Sequence, residues 1–319
     1  MTLLPSWPPR ATSKVKTEQK GTKLLVTGDD WAFEFDTARG FLTRWTSDST
    51  AILEPDPATG AAILPSCWRP PTDNDQRTSL EYWRRFGVDA LTSQRRSFSI
   101  NADSDGVIVE ATTFLSPAVL DWGYEAKMEY MILSTGTLDL RTKLTPSGSF
   151  PKHIPRVGLN IRLNKALAKA RWYGLGPGES YPDKKSAQRV GIWDVNDIVE
   201  LHTPYEVPQE NGNRMETGWV MLTEDSGRGV RARISASPED AGWDQMKTGF
   251  SWAASRHTAR IIEEANHPCD LVEEEATLLR LDARVAGVGT GACGPAVRED
   301  LMVKTEEIGF AFVLDRVGV

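Results

Sequence analysis

Cysteine is scarce in this chain and widely scattered. Cys67, Cys269 and Cys293 make three in all, an odd number with neither a CxxC pair nor a local Cys/His cluster, which argues against a disulfide framework and a four-ligand zinc site. Histidine is nearly as sparse. His153, His202, His257 and His267 are the four present, too far apart to form a sequence-local dyad, and no GxSxG elbow supports a Ser-His-Asp hydrolase. No segment approaches the ~18 apolar residues of a membrane span, and Met1 to Lys20 lacks the apolar run of a signal peptide. A cytoplasmic protein without a membrane partner is therefore expected. Positive charge is not in excess either: the formal net charge is −7, which argues against nucleic acid as a partner, because phosphate binding depends on clustered Lys and Arg. There is no internal repeat, no low-complexity tract and no regular alternation of strands with helices of the βαβ kind.

What is present is the composition of a folded globular protein, with 40% hydrophobic and 25% charged residues over 319 positions, a length that leaves the domain count open. Residues 1–22 read as an extended lead-in, since Pro5, Pro8 and Pro9 disfavour regular structure, and one domain is expected over residues 23–319. There the dominant period is two. Trp31, Phe33 and Phe35 share a face, as do Trp122, Tyr124, Ala126, Met128, Tyr130 and Ile132, and the alternation returns at Leu138–Leu144, Val157–Leu163, Val230–Ile234 and Ile308–Leu314. Short helices are expected at Leu80–Phe86, Lys165–Ala170 and Ala253–Ala265. With 26 Gly and 19 Pro punctuating the strands, the fold class expected is all-β, antiparallel, one large sandwich of two sheets.

Four stretches depart from ordinary strand or turn. In Cys67-Trp68-Arg69-Pro70-Pro71-Thr72-Asp73-Asn74-Asp75 two prolines stiffen the approach to a group of acceptor oxygens; it suits either sugar hydroxyls or a capped turn with an arginine paired to an aspartate. Trp172 to Asp183 joins glycines to aromatics, which suits stacking on a sugar ring or core packing, and its glycine spacing fails the dinucleotide fingerprint. Thr203 to Arg214 crowds Gln209, Glu210, Asn211, Asn213 and Arg214 around an expected turn at Asn211-Gly212, either as a binding rim or as a hairpin in which Glu210 neutralises Arg214. Gly287 to Pro295 lacks the lysine and the following helix of a P-loop and reads as a loop of close backbone approach, with Cys293 as a small packing residue.

Taken in this order, WRPPTDND, WYGLGPGESYPDKKSAQRVG, TPYEVPQENGNR and GVGTGACGP resemble the C-terminal domain of family 2 β-galactosidases, from about Lys23 to the last strand near Leu314, with residues 1–20 similar to the tail of the preceding domain. The resemblance implies a galactose-mutarotase-like β-supersandwich whose concave face takes carbohydrate in several relatives. It also implies that both catalytic glutamates belong to a separate (β/α)8 barrel, for which this chain has no room. The Asp-Asn-Asp stretch is similar to the segment leading into the family's mobile loop beside the galactose site, which implies that Arg69, Asp73, Asn74 and Asp75 lie near substrate in an assembled enzyme. The loop around Cys293 is similar to one from which some members project an aromatic platform, and cysteine stands here in its place. Gly218 and Lys184 stand where many relatives carry arginine, removing two bidentate donors.

Some β-galactosidases of this family are split into a large and a small chain, so the first expectation is a small subunit or C-terminal domain, non-catalytic alone, that docks on a barrel-bearing chain and completes its sugar site. Its substrate-binding candidates are Trp68, Arg69, Asp73, Asn74, Trp172, Tyr173, Asn211 and Cys293. The second expectation is a stand-alone, cofactor-free isomerase, epimerase or cyclase of small-molecule biosynthesis that uses the concave face, with Asp75, Arg156, Glu210, Arg214 and His267 in acid/base or electrostatic roles. A sugar-binding module without chemistry is the third. The lead-in favours the first; the missing arginines and the start at Met1 favour the second. Neither a cofactor nor a metal is expected.

Overall fold

A computed structural model describes residues 14–102, 106–235, 246 and 249–318. The strands, in chain order, are β1 (Lys16–Lys20), β2 (Lys23–Thr27), β3 (Trp31–Asp36), β4 (Phe41–Ser47), β5 (Thr50–Leu53), β6 (Ile63–Ser66), β7 (Thr92–Ala102), β8 (Gly106–Ser116), β9 (Gly123–Leu133), β10 (Leu138–Ser147), β11 (His153–Ile154), β12 (Arg156–Leu163), β13 (Lys169–Gly176), β14 (Arg189–Val195), β15 (Arg214–Thr217), β16 (Trp219–Thr223), β17 (Gly229–Ile234), β18 (Phe250–Ser255), β19 (Thr277–Val285), β20 (Val303–Lys304) and β21 (Ile308–Val317). Three helices, α1 (Asp73–Gln76), α2 (Leu80–Arg85) and α3 (Ala259–Glu264), are each under two turns long.

The strands form two large antiparallel sheets. One has ten strands, ordered β1-β2-β3-β4-β5-β12-β19-β18-β15 with β6 also paired to β12; the other has nine, ordered β14-β13-β16-β17-β21-β10-β9-β8-β7. Period-two sequence produces this directly, because alternate side chains leave opposite faces of a strand. In β3, Trp31, Phe33 and Phe35 are buried while their neighbours are half-exposed. Aromatic pairs join the two sheets across the core: Phe35 meets Tyr130 edge-on at 5.2 Å, Trp172 meets Trp252 at 5.4 Å, and Phe250 meets Phe312 at 5.3 Å. Such offset and edge-on contacts suit ring quadrupoles and fill volume densely. In β12 and β21 both faces are largely buried, as expected for strands near the middle of a sheet.

The helical expectations fare unevenly. Leu80–Phe86 is met by α2, whose backbone ends at Phe86. Lys165–Ala170 is a turn followed by β13: Asn164 accepts from the Ala166 amide at 2.9 Å, an Asx bond that competes with helix. Of Ala253–Ala265 the first three residues close β18, and only Ala259–Glu264 is helical, started by the Thr258 hydroxyl accepting from Ile261 N at 3.2 Å. Within the lead-in, Lys16–Lys20 is already a strand paired with β2, so the first sheet begins ahead of Lys23; residues 1–13 lie outside the described residues. Among the described residues no helix is long and apolar enough to cross a membrane.

Candidate functional site

Between β6 and α1, Pro70 and Pro71 have no N–H to donate, and side chains fix the path instead. Thr72 caps α1: its hydroxyl accepts from Asp75 N at 3.1 Å, while Asp75 Oδ2 accepts from Thr72 N at 2.9 Å, a reciprocal capping box. The same aspartate carboxylate accepts from the buried Arg69 guanidinium at 3.1 and 3.2 Å, and Arg69 also donates to the carbonyls of Ala286 and Gly287 at 2.8 and 3.0 Å. Of the two readings of this stretch, the capped turn with a paired arginine is the local geometry observed. Thr72→Ala is expected to cost about 1 kcal/mol, measured as a lower urea midpoint at unchanged slope.

Four distant segments meet at this end of the sandwich. The Asn74 carboxamide donates to Val288 O and Gly289 O at 3.0 and 2.8 Å and accepts from Ala292 N at 2.9 Å. From the opposite side, the Asp183 carboxylate accepts from Val288 N and Gly289 N at 2.9 and 2.7 Å. Gln209 and Asp73 bond reciprocally, with Asp73 N to Gln209 Oε1 at 3.2 Å and Gln209 Nε2 to Asp73 Oδ2 at 3.1 Å. The loop needs its glycines for this approach: a Cβ on Gly287 would stand 2.5 Å from Asp183 Oδ2, and Gly289 has φ +60°. Asn74 and Asp183 thus clasp the 287–295 loop, whose tip leaves Cys293 exposed.

A second polar group lies on the first sheet, on the face turned away from the core. Register places Asn160, Arg280 and Ala253 side by side there, and Gly158, Asp282 and Ser251 in the next row. Arg280 grips Glu210 through two hydrogen bonds of 2.7 and 2.5 Å, and the Tyr181 hydroxyl donates to the same carboxylate at 3.0 Å. Burial alone would raise the Glu210 pKa, but the Arg280 charge and these hydrogen bonds outweigh it and hold the carboxyl below its usual range. Asp282 differs. Arg156 reaches it with Nε and Nη2, both onto Oδ1, leaving Oδ2 without a hydrogen-bond partner; here burial prevails and pushes the Asp282 carboxyl up, and it pushes the enclosed Arg156 guanidinium down. At the rim of this face, Asn211 Nδ2 donates to Gln209 O, so Asn211 Oδ1 is the acceptor for Thr203 N and for His202 Nδ1, 2.9 Å away. The His202 tautomer that fits leaves Nε2 as an acceptor, and burial lowers its pKa towards the neutral form.

The structure therefore sorts the candidates. Arg69, Asp73, Asn74 and Asp75 come together with the Cys293 loop, and Gln209 joins them. Asn211 braces His202 rather than forming a two-residue hairpin turn. Glu210 pairs with Arg280 and not with Arg214, which is buried, donates to the carbonyls of Leu201, Gly212 and Pro177, lies over Trp172 at 5.5 Å, and is pushed by burial down to about 10. Trp172 is buried, donates to Leu175 O at 3.0 Å and packs in the core, whereas Tyr173 is half-buried on the other face of β13. Trp68 is half-buried and donates to Glu263 at 3.3 Å. His267 is exposed at the start of the Pro268–Asp270 turn. Arg280 and Asp282 escaped the sequence reading, and Asp183 and His202 were named there without a site role. The signal for the first two was charge at alternate positions of an otherwise apolar strand. Among the described residues no group of three or more His, Cys, Asp or Glu is placed to hold a metal ion.

The chain as a whole is similar to known proteins. Among solved structures, a galactose mutarotase-like protein from Clostridium acetobutylicum superposes with a TM-score of 0.51 at 10% identity, covering 97% of this chain and 99% of that one, a likeness of fold. In sequence, a β-galactosidase of Kluyveromyces lactis is 33% identical over 250 residues, spanning 77% of this chain and 23% of that protein. A β-galactosidase of an Arthrobacter species is 32% identical over 261 residues, 75% of this chain and 24% of that protein. The chain thus corresponds to about a quarter of the length of these relatives. The family model described as "Beta galactosidase small chain" matches residues 27–314, and the chain belongs to that family.

Proposed function

We propose that this chain is the small component of a β-galactosidase, without hydrolytic activity alone, which docks on a barrel-bearing chain and completes its galactoside site through the clasped loop end. The observation that carries the proposal is the convergence of four family-like segments on that one end, held by Asn74 and Asp183. A loop that presents a sugar-facing residue has to be fixed within fractions of an ångström, and side-chain hydrogen bonds onto its backbone supply that positioning. The family model is that of a small chain and the match covers about a quarter of each relative's length, which supports placing the acid/base and nucleophile in the part of the enzyme that those relatives carry beyond it.

The stand-alone enzyme finds less support. Asp75, Arg156 and Arg214 are buried and bonded to protein groups, and Glu210 is held by Arg280 and Tyr181, so none of these four presents an open acid/base position. The deciding measurement is galactoside hydrolysis by the purified chain alone and mixed with a barrel-bearing large chain, with light scattering on both. Activity confined to a mixture that forms a complex supports the proposal. Hydrolysis by the chain alone, or a complex that stays inactive, rejects it.

A further inference from the structure

We infer that β14 is a self-association edge through which two copies of this chain join their nine-stranded sheets. Each large sheet has two ends, and three of the four ends carry ordinary protection against edge pairing. β1 is Lys-Thr-Glu-Gln-Lys and fully exposed. β7 carries Arg95 and Arg96 at a register shift. β15 has four residues, a register irregularity and Glu216 at φ +53°. β14 carries charge only near its ends, at Arg189 and Asp194, with no register shift and no positive-φ residue between them. Its sequence is Arg-Val-Gly-Ile-Trp-Asp-Val, its register with β13 runs unbroken from Val195 to Arg189, and Val190 and Ile192 are 56% and 41% exposed on one face. Among the described residues nothing pairs with its outer edge.

The occupant follows from the order of side chains. Two antiparallel copies of a strand related by a two-fold axis normal to the sheet keep each side chain on its own face, so only residues of equal parity can stand opposite each other. Centring the axis on Gly191 sets Val190 against Ile192 of the second copy, and Ile192 against its Val190. On the other face Arg189 meets Trp193 at both ends. The five central positions then face complements: apolar on apolar and guanidinium on indole on either side of Gly191. Gly191, at the axis, adds no side chain between the backbones. Tyr173 stands directly beside Ile192 and Trp219 beside Tyr173, so pairing extends one apolar stripe from each sheet into the other. A partner of unrelated sequence would not draw on this self-complementary order.

The test is the solution mass by light scattering of the wild-type chain and of the Val190→Lys/Ile192→Lys variant, with far-UV circular dichroism and thermal unfolding as controls. The wild type should show the mass of two chains at micromolar concentration and the variant that of one, with an unchanged spectrum. Register is read separately by oxidative cross-linking in a Cys269→Ser/Cys293→Ser background: a mixture of Val190→Cys and Ile192→Cys chains should form far more disulfide dimer than either alone. A single-chain mass for the wild type, a two-chain mass retained by the lysine variant, or equal cross-linking in all three samples overturns the inference. So does a chain that is monomeric alone and uses Val190 and Ile192 to bind a large chain.

Discussion

Arg280→Leu is expected to destabilise this protein by about 3–5 kcal/mol, more than Glu210→Gln, which should cost nearer 2–3 kcal/mol, although both break the same ion pair. The asymmetry follows from burial. The Glu210 side chain keeps 2% of its surface exposed and the Arg280 side chain 17%. Losing the arginine leaves an enclosed carboxylate with the Tyr181 hydroxyl as its remaining hydrogen bond and the more distant Arg69 charge, whereas losing the carboxylate leaves a guanidinium that still reaches water. Combining Glu210→Gln with Arg280→Leu removes the stranded charge altogether, so the double variant should be more stable than Arg280→Leu alone, with a coupling of about 2 kcal/mol or more in the cycle. Urea unfolding of the four proteins measures it, and additive single effects would show that the pair contributes no coupling.

The pH dependence has a definite sign. The folded protein holds Glu210 below its usual range, so the stability this group contributes is present above the unfolded pKa, about 4.3, and is lost as pH falls through the folded value. In Arg280→Leu the same carboxyl is governed by burial and moves up, so it destabilises the fold at neutral pH and ceases to do so once protonated. The gap between wild type and variant should therefore narrow on acidification. Asp282, pushed up by burial in the wild type, opposes the Glu210 trend there; the Arg280 charge partly holds Asp282 down, so its loss moves that carboxyl further up and adds to the narrowing.

How much of this was legible beforehand depended on whether a residue's meaning lay in its own strand or across the fold. Phe33, Tyr130 and Phe312 declared their inward face by period alone, and the all-β class followed. Trp172 was ambiguous because stacking and packing both use an aromatic next to glycine; its partner Trp252 lies in the other sheet. The Arg69–Asp75 pair was within local reach, six residues apart. Arg280 was not: an arginine alternating with Leu279 and Leu281 looks like an ordinary solvent-facing position, and only pairing across β12, β19 and β18 shows that Glu210 waits there, 70 residues earlier. Asn74 was recognised as part of an unusual stretch, but its grip on the 287–295 loop spans more than 210 residues.

That grip permits the other prediction of large effect. Asn74→Ala removes two donated hydrogen bonds and one accepted one from the loop, and at a half-buried position where water replaces part of each, the net loss is about 2 kcal/mol. Because the loop packs few core residues, this should appear as local opening rather than lower global stability. Hydrogen exchange at the Ala292 amide should accelerate about 30-fold, the factor that ~2 kcal/mol corresponds to. The Val288 and Gly289 amides donate to Asp183 instead, so they should respond chiefly to Asp183→Ala. Asn74→Asp separates the two halves of the grip: it keeps an acceptor for Ala292 N but sets a carboxylate against the carbonyls of Val288 and Gly289, so the Ala292 amide should stay protected longer than in the alanine variant. If this end completes the sugar site, the same three variants, assembled with a barrel-bearing chain, should raise KM for a galactoside in order of loop opening and leave kcat less affected. A loop that opens with no change in KM would separate the clasp from substrate binding.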